Sequence, residues 1–192
     1  MSKPGFLIRA LCALSCYLTA AHAQDNPAWP TKPVTFVVGF PPGTATDSVG
    51  RVLAERFSNR LGQSFVIDNK PGQGGSVGAA AAAKAKPDGY TFVVSATAPM
   101  SINPYVYPKL TYDPMKDFAP VGIHTWLPYA IVVNANSKLN SYADLRAAAA
   151  ADPGKLTYAS IGNGTTSHLI MLLLQQRTNL KLTHIPYRGS AQ

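Results

Sequence analysis

Two short loops concentrate the hydrogen-bonding chemistry of this chain. The first, Gly39-Phe-Pro-Pro-Gly-Thr-Ala-Thr-Asp47, follows the β-branched and aromatic run Val34–Val38. The second, Ser160-Ile-Gly-Asn-Gly-Thr-Thr-Ser167, follows the run Leu156–Ser160. Each is expected to leave the C-terminal end of a strand and enter the N-terminus of a helix. In an open α/β sheet that edge is where ligands bind. Unpaired N–H groups and the helix dipole there favour a carboxylate or a phosphate. Gly43, Gly162 and Gly164 permit close backbone approach. Thr44, Thr46, Ser160, Thr165 and Thr166 add hydroxyl groups. The same residues also fit a plain structural role, in which Asp47 and Thr166 cap their helices and the glycines close turns.

Other motifs carry less. Gly74-Gly-Ser-Val-Gly78 matches the G-x-S-x-G nucleophile elbow, with Asp144 and then His168 or His184 downstream in hydrolase order. An elbow needs the strand to run straight into the serine turn, and Asn69-Lys-Pro-Gly-Gln73 intervenes. An exported serine hydrolase using Ser76 is therefore the weaker alternative. Gly72, Gly74 and Gly78 have the wrong spacing for a dinucleotide fingerprint, and no Gly-Lys-Ser/Thr makes a P-loop. His124, His168 and His184 lack metal-ligand spacing, so neither a metal nor a cofactor is expected. His168, just inside a helix after the second loop, either touches a ligand or makes a structural hydrogen bond.

The elements that must hold these loops alternate. Val34–Val38 reads as a buried strand. A helix follows, with Val49, Val52, Leu53, Phe57 and Leu61 as its apolar stripe and Gly62 as its stop. Ser64–Ile67 is a second strand, Ser76–Lys86 an Ala-rich helix, and Thr91–Ser95 a third strand. That β-α-β-α-β order is the signature of an open α/β sheet. A Pro- and Tyr-rich connector spans Pro99–Asp117, and Val121–Ile123 and Ala130–Val133 read as short strands. The alternation then restarts: a helix over Tyr142–Ala151 capped by Ser141, a strand over Leu156–Ser160, a helix over Thr166–Arg177 and a strand over Leu182–Pro186. Two α/β units imply two domains.

Composition narrows the class. The chain has 192 residues, 46% hydrophobic and 14% charged, with a net charge of +8. Its apolar share excludes a disordered chain, and its scattered cations make nucleic acid a poor partner. Lys3 and Arg9, the apolar Leu11–Ala21 and the small-x-small Ala21-His-Ala23 form a secretory leader over residues 1–23, with cleavage after Ala23. Cleavage removes both cysteines, Cys12 and Cys16, so an exported chain without disulfides must rely on an ordinary apolar core.

At the loops the sequence resembles a known family. The matching residues include Trp29-Pro-Thr-Lys-Pro-Val34, Gly39-Phe-Pro-Pro-Gly43 with Asp47 and Arg51, and Asn69-Lys-Pro-Gly-Gln-Gly-Gly75. Lys86-Pro-Asp-Gly-Tyr-Thr91, Ala159-Ser-Ile-Gly-Asn-Gly-Thr165 with His168, and His184-Ile-Pro-Tyr-Arg-Gly-Ser-Ala-Gln192 continue the match in register. These motifs resemble the Bug receptors, the extracytoplasmic solute-binding proteins of tripartite tricarboxylate transporters. The resemblance implies an α/β, two-lobed periplasmic-binding-protein (Venus flytrap) fold, here incomplete. Residues 24–126 would form the first lobe, lacking its return segment, and residues 127–192 part of the second. It implies no enzyme activity and a monomeric periplasmic receptor. Its partners would be a small carboxylate (a di- or tricarboxylate, an amino acid or an aromatic acid) and the membrane components of the transporter. The ligand-binding residues would be Phe40, Pro41, Pro42, Gly43, Thr44, Thr46 and Asp47 in the first loop. In the second they would be Ser160, Gly162, Asn163, Gly164, Thr165, Thr166 and His168. Thr44 stands where the family usually has a second Gly, and would either narrow the pocket or replace a water. Both lobes should show uncovered apolar faces or open sheet edges. A truncated remnant that does not bind is the further alternative.

Overall fold

The computed structural model describes residues 28–189; the expected leader lies outside the described residues. From Lys32 onward the chain forms one compact unit. Strand β1 (Val34–Val38) is the centre of a three-stranded parallel sheet, flanked by β2 (Phe65–Asn69) and β3 (Thr91–Val94). Val34 pairs with Phe65 on one side, and Phe36 with Phe92 on the other. A central parallel strand is covered on both faces, which is why β1 is a continuous apolar run and why Val34 and Val38 are fully buried. Phe36 organises the core with edge-on rings of Phe57, Phe65 and Phe92 at 6.1, 5.2 and 5.9 Å. Burying such a ring contributes about 2–3 kcal/mol.

Helix α1 (Ala45–Leu61) joins β1 to β2 and stops at Gly62, which takes the left-handed conformation at φ 70°. Its buried face differs from the expected stripe. Thr46, Asp47, Gly50 and Ala54 are buried, while Val52 is 51% exposed. The reason is close packing. A Cβ on Gly50 would already touch Val38 Cγ2 at 3.4 Å and Ile67 Cδ1 at 3.5 Å, so the small-residue face lies against the sheet and the larger side chains flank it. Phe57 still closes the edge of the core through Phe36 and Phe65.

A 3₁₀ turn at Gln73–Gly75 leads into α2 (Ser76–Ala83). After β3 the connector is not irregular throughout. It makes a π-helical turn at Ala98–Ile102 and the short helix α3 (Asn103–Val106). The second α/β unit contains α4 (Tyr142–Ala151), β4 (Thr157–Ser160), α5 (Thr166–Thr178) and β5 (Thr183–Pro186), with β4 and β5 parallel. Helix α4 starts as expected: Ser141 Oγ accepts the Asp144 N–H at 3.1 Å, and the Asp144 carboxylate accepts the Asn140 N–H at 2.9 Å.

Two expected strands do not form. Residues 119–134 form no strand and no ladder among the described residues. Val121, Ile123, Trp126 and Val132 are 83%, 76%, 83% and 84% exposed. A strand exists by pairing, and this apolar segment makes no ladder with any described strand. Tyr129–Val133 instead faces β4 and α5 across an apolar cavity of about 470 Å³. The segment Val121–Val133 is thus an uncovered apolar stretch. Among the described residues, β2, β3, β4 and β5 each pair on one side only.

Candidate functional site

Both loops sit where expected, at the C-terminal ends of β1 and β4. The first is locked from within. Asp47 is 1% exposed, and its carboxylate accepts the Gly43 N–H at 2.9 Å, Arg51 Nε at 2.9 Å and Asn69 Nδ2 at 2.8 Å. Asn69 Nδ2 also donates to the Phe40 carbonyl at 3.0 Å, tying the loop to the end of β2. Burial alone would raise the Asp47 pKa; the hydrogen bonds from Arg51, Asn69 and Gly43 outweigh it and hold the carboxyl below its ordinary value. Asp47 is thus no helix cap, because Thr44 occupies that position. It is the residue that shapes the loop.

Thr44 is buried, and its hydroxyl donates to the Pro41 carbonyl at 2.8 Å. The hydroxyl closes the turn of its own loop, and Thr44 is not among the residues that line the cavity. The end of β1 also approaches the start of α2 closely. A Cβ on Gly78 would fall 2.5 Å from Gly39 Cα. That contact accounts for Gly78, and the positive φ of Gly74 and Gly75, at 60° and 96°, for the glycines before Ser76.

The second loop is tied in the same way. Ser160 Oγ accepts the Gly162 N–H at 3.1 Å and lies 2.6 Å from His184 Nε2. Thr165 Oγ1 donates to the Gly162 carbonyl at 2.6 Å, and His168 Nδ1 accepts the Gly164 N–H at 3.2 Å. The rings of His168 and His184 stack at 4.0 Å, and Tyr158 stacks on His184 at 4.9 Å. Burial, then the charge of His168, pushes the His184 pKa down.

A cavity of about 640 Å³ opens between the loops. Residues 39–41 and 71–75 with Tyr107 form one side, and residues 161–163 and 186–188 the other. Of the sequence-named residues, Phe40, Pro41, Gly162 and Asn163 line it. Pro42, Gly43, Thr44, Asp47, Ser160, Gly164, Thr165 and His168 belong to the loops without lining it, and the buried ones among them hold the loop conformations. Thr46 and Thr166 face a neighbouring cavity of about 400 Å³ with Ser95–Thr97 and Trp126. Sequence reasoning missed Gln73–Gly75, Tyr107 and Pro186–Arg188. Two of these segments follow the C-terminal ends of β2 and β5, so the strand-end rule applied to every strand would have found them.

Among the described residues, the wall carries one cation, Arg188, and no carboxylate. Among the described residues no group of three or more His, Cys, Asp or Glu could hold a metal ion. Ser76 is 2% exposed, accepts Asn103 Nδ2 at 2.7 Å, and lies 3.1 Å from Tyr112 Oη, which itself donates to the Pro99 carbonyl at 2.7 Å. The Ser76 proton therefore points to a phenol oxygen, with no histidine among its hydrogen-bond partners. Nucleophilic activation requires such a base.

A sequence model of the tripartite tricarboxylate transporter family receptor matches residues 49–192. The chain belongs to this receptor family. Protein BugT of Bordetella pertussis is 37% identical over 188 residues, covering 96% of this chain and 58% of BugT. Rpa4515 of R. palustris, solved with adipate, superposes with a TM-score of 0.76 at 38% identity over 85% of this chain and 55% of that one. MatC (Rpa3494) of Rhodopseudomonas palustris, solved with bound malate, gives 0.75 at 31% identity over 84% and 55%. The receptor-family chain thus spans a little over half the length of such relatives. Its homologues are solute-binding receptors, not enzymes, and the shared fold is the α/β periplasmic-binding-protein type.

Proposed function

We propose that this chain is a periplasmic solute-binding receptor that captures a small carboxylated metabolite for a tripartite tricarboxylate-type transporter. The observation that carries the reading is the cavity of about 640 Å³ between the strand-end loops of the two α/β units. Its size falls in the range of small-molecule sites, roughly 300–1,000 Å³. Its wall combines backbone groups of Gly39, Gly72–Gly75 and Gly162 with Gln73, Asn163 and Arg188, and among the described residues no acidic side chain lines it. Adipate in Rpa4515 and malate in MatC are ligands of the same chemical class.

In this reading the leader ending at Ala23 exports the chain. Residues 24–126 and 127–192 are the first lobe and part of the second, and the receptor works as a monomer. Ligand shifts an equilibrium between open and closed arrangements, so selectivity comes from contacts made on closure. The strand-end loops Gly39–Asp47 and Ser160–His168 supply the binding surface, with Asp47, Ser160, Thr165 and His168 holding its shape.

One observation favours a second reading, a chain that folds without binding: the apolar segment Val121–Val133 stays uncovered. Isothermal titration against malate, adipate, citrate and benzoate separates the two. Saturable binding of at least one acid supports the receptor. Absence of heat from a chain shown by circular dichroism to be folded overturns it.

A further inference from the structure

Tyr107 lies outside both strand-end loops, yet it touches each side of the cavity. It follows α3, which is anchored by Asn103, a side chain with no exposed surface. The Asn103 amide donates to the Gln73 carbonyl at 3.0 Å, the Gly74 carbonyl at 3.3 Å and Ser76 Oγ at 2.7 Å. The Tyr107 N–H in turn donates to the Asn103 carbonyl at 2.9 Å. The base of Tyr107 is thereby fixed to the Gln73–Gly75 turn, one wall of the cavity. Its phenol lines the cavity, and its hydroxyl reaches the opposite wall, donating to the Asn163 backbone carbonyl at 3.1 Å.

The neighbouring contact is equally close. A Cβ on Gly164 would sit 3.0 Å from Val106 Cγ1 and 3.7 Å from Tyr107 Cε2, and its φ of 73° already favours glycine, so α3 and the second loop pack closely here. Among the described residues, the other hydrogen bonds of loop 160–165 stay within the second α/β unit. The bond from Tyr107 is the one that crosses.

We propose that Tyr107 is an interlobe latch: its hydroxyl, bonded to the Asn163 carbonyl, holds the two walls of the cavity together and sets how long a ligand stays. Its consequence for ligand release rests on the receptor reading; the latch itself does not. A ligand packed against the ring restrains the phenol in the bonding position, and the bond in turn resists separation of the walls. Ligand and latch therefore favour the same arrangement. Because the acceptor is a backbone carbonyl, the Asn163 side chain plays no part.

Tyr107→Phe keeps the ring and removes the hydroxyl. Loss of one neutral hydrogen bond to a partly hydrated acceptor corresponds to roughly two- to tenfold in the opening equilibrium. Two measurements read it on the full chain. In hydrogen–deuterium exchange, peptides covering 160–165 should exchange roughly two- to tenfold faster in Tyr107→Phe, with β1 unchanged. In surface-plasmon resonance with malate and adipate as probes, the variant should show a faster off-rate at an unchanged on-rate. Unchanged exchange over 160–165 overturns the latch. So does weakened binding without any change in exchange, which would make Tyr107 a simple contact residue. A wild type that binds neither probe counts against the receptor reading, and the exchange result still decides the latch.

Discussion

Asp47 makes the most demanding energetic prediction. Its carboxylate is 1% exposed and accepts three hydrogen bonds, from Gly43, Arg51 and Asn69. Hydrogen bonds to ionised groups are worth about 1.5–3 kcal/mol each. They do not add in full here. The Arg51 side chain is 53% exposed and regains water when released, and Asn69 Nδ2 keeps the Phe40 carbonyl. What remains is the unpaired Gly43 N–H and a loop no longer braced, a loss of about 2–4 kcal/mol for Asp47→Ala. Asp47→Asn should cost a similar amount, because its new amide N–H₂ faces donors. The assay is equilibrium urea unfolding of wild type and both variants, with exchange measured over residues 39–47. The pH dependence gives an independent sign. The folded-state pKa lies below the ordinary 3.8, so the wild-type contribution is complete above 3.8 and is lost as pH falls through the depressed value. Asp47→Asn should lack that acid limb. A loss under about 0.5 kcal/mol, with unchanged exchange in the loop, would refute the claim that Asp47 shapes it.

Three further outcomes follow from the same geometry. Gly39→Ala should destabilise the chain by about 3 kcal/mol in urea melts, since its Cβ would lie 2.4 Å from the Gly75 carbonyl oxygen and backbone must move. His184 has a depressed folded-state pKa, so its contribution is full above the unfolded value near 6.5 and is lost as pH falls through the folded one. Thermal melts from pH 8 to pH 4.5 should accordingly show a falling midpoint below about 6.5, with a flatter profile in His184→Gln. Ser76→Ala should cost about 1–2 kcal/mol in urea melts through the buried Asn103–Tyr112 network, while wild type and variant alike release no p-nitrophenol from p-nitrophenyl esters.

The alternation of strands and helices was readable because each element carries its own signal. Val34–Val38 is a continuous apolar run between Pro33 and Gly39, and Gly62 ends α1 in the conformation expected of a helix-terminating glycine. The buried face of α1 was not readable. A hydropathy stripe favours Val52 and Leu61, whereas the sheet accepts the small residues Gly50 and Ala54 at short range. Val121–Ile123 and Ala130–Val133 have strand composition but no partner among the described strands, and pairing is a tertiary property. At the site, the strand-end rule located both loops, yet it did not separate residues that line the cavity from residues that brace it. Asp47 and Thr165 bear polar groups of the kind a ligand would use, and the fold turns them inward to their own loops. Tyr107 lies in the Tyr-Pro stretch Asn103–Pro108, which reads as packing and turn chemistry, because its place at the cavity depends on α3 approaching a loop 56 residues away.

The central claim is that a small carboxylate occupies the cavity between the two sets of strand-end loops. The direct measurement is a heteronuclear NMR titration of the ¹⁵N-labelled chain with malate and with adipate. Saturable shifts should appear at the amides of Gly39, Gln73–Gly75, Tyr107 and Ile161–Asn163, with little change along β1 or α4. A folded chain that shows no shifts, or shows them only around the apolar cavity beside Tyr129–Val133, would contradict the account.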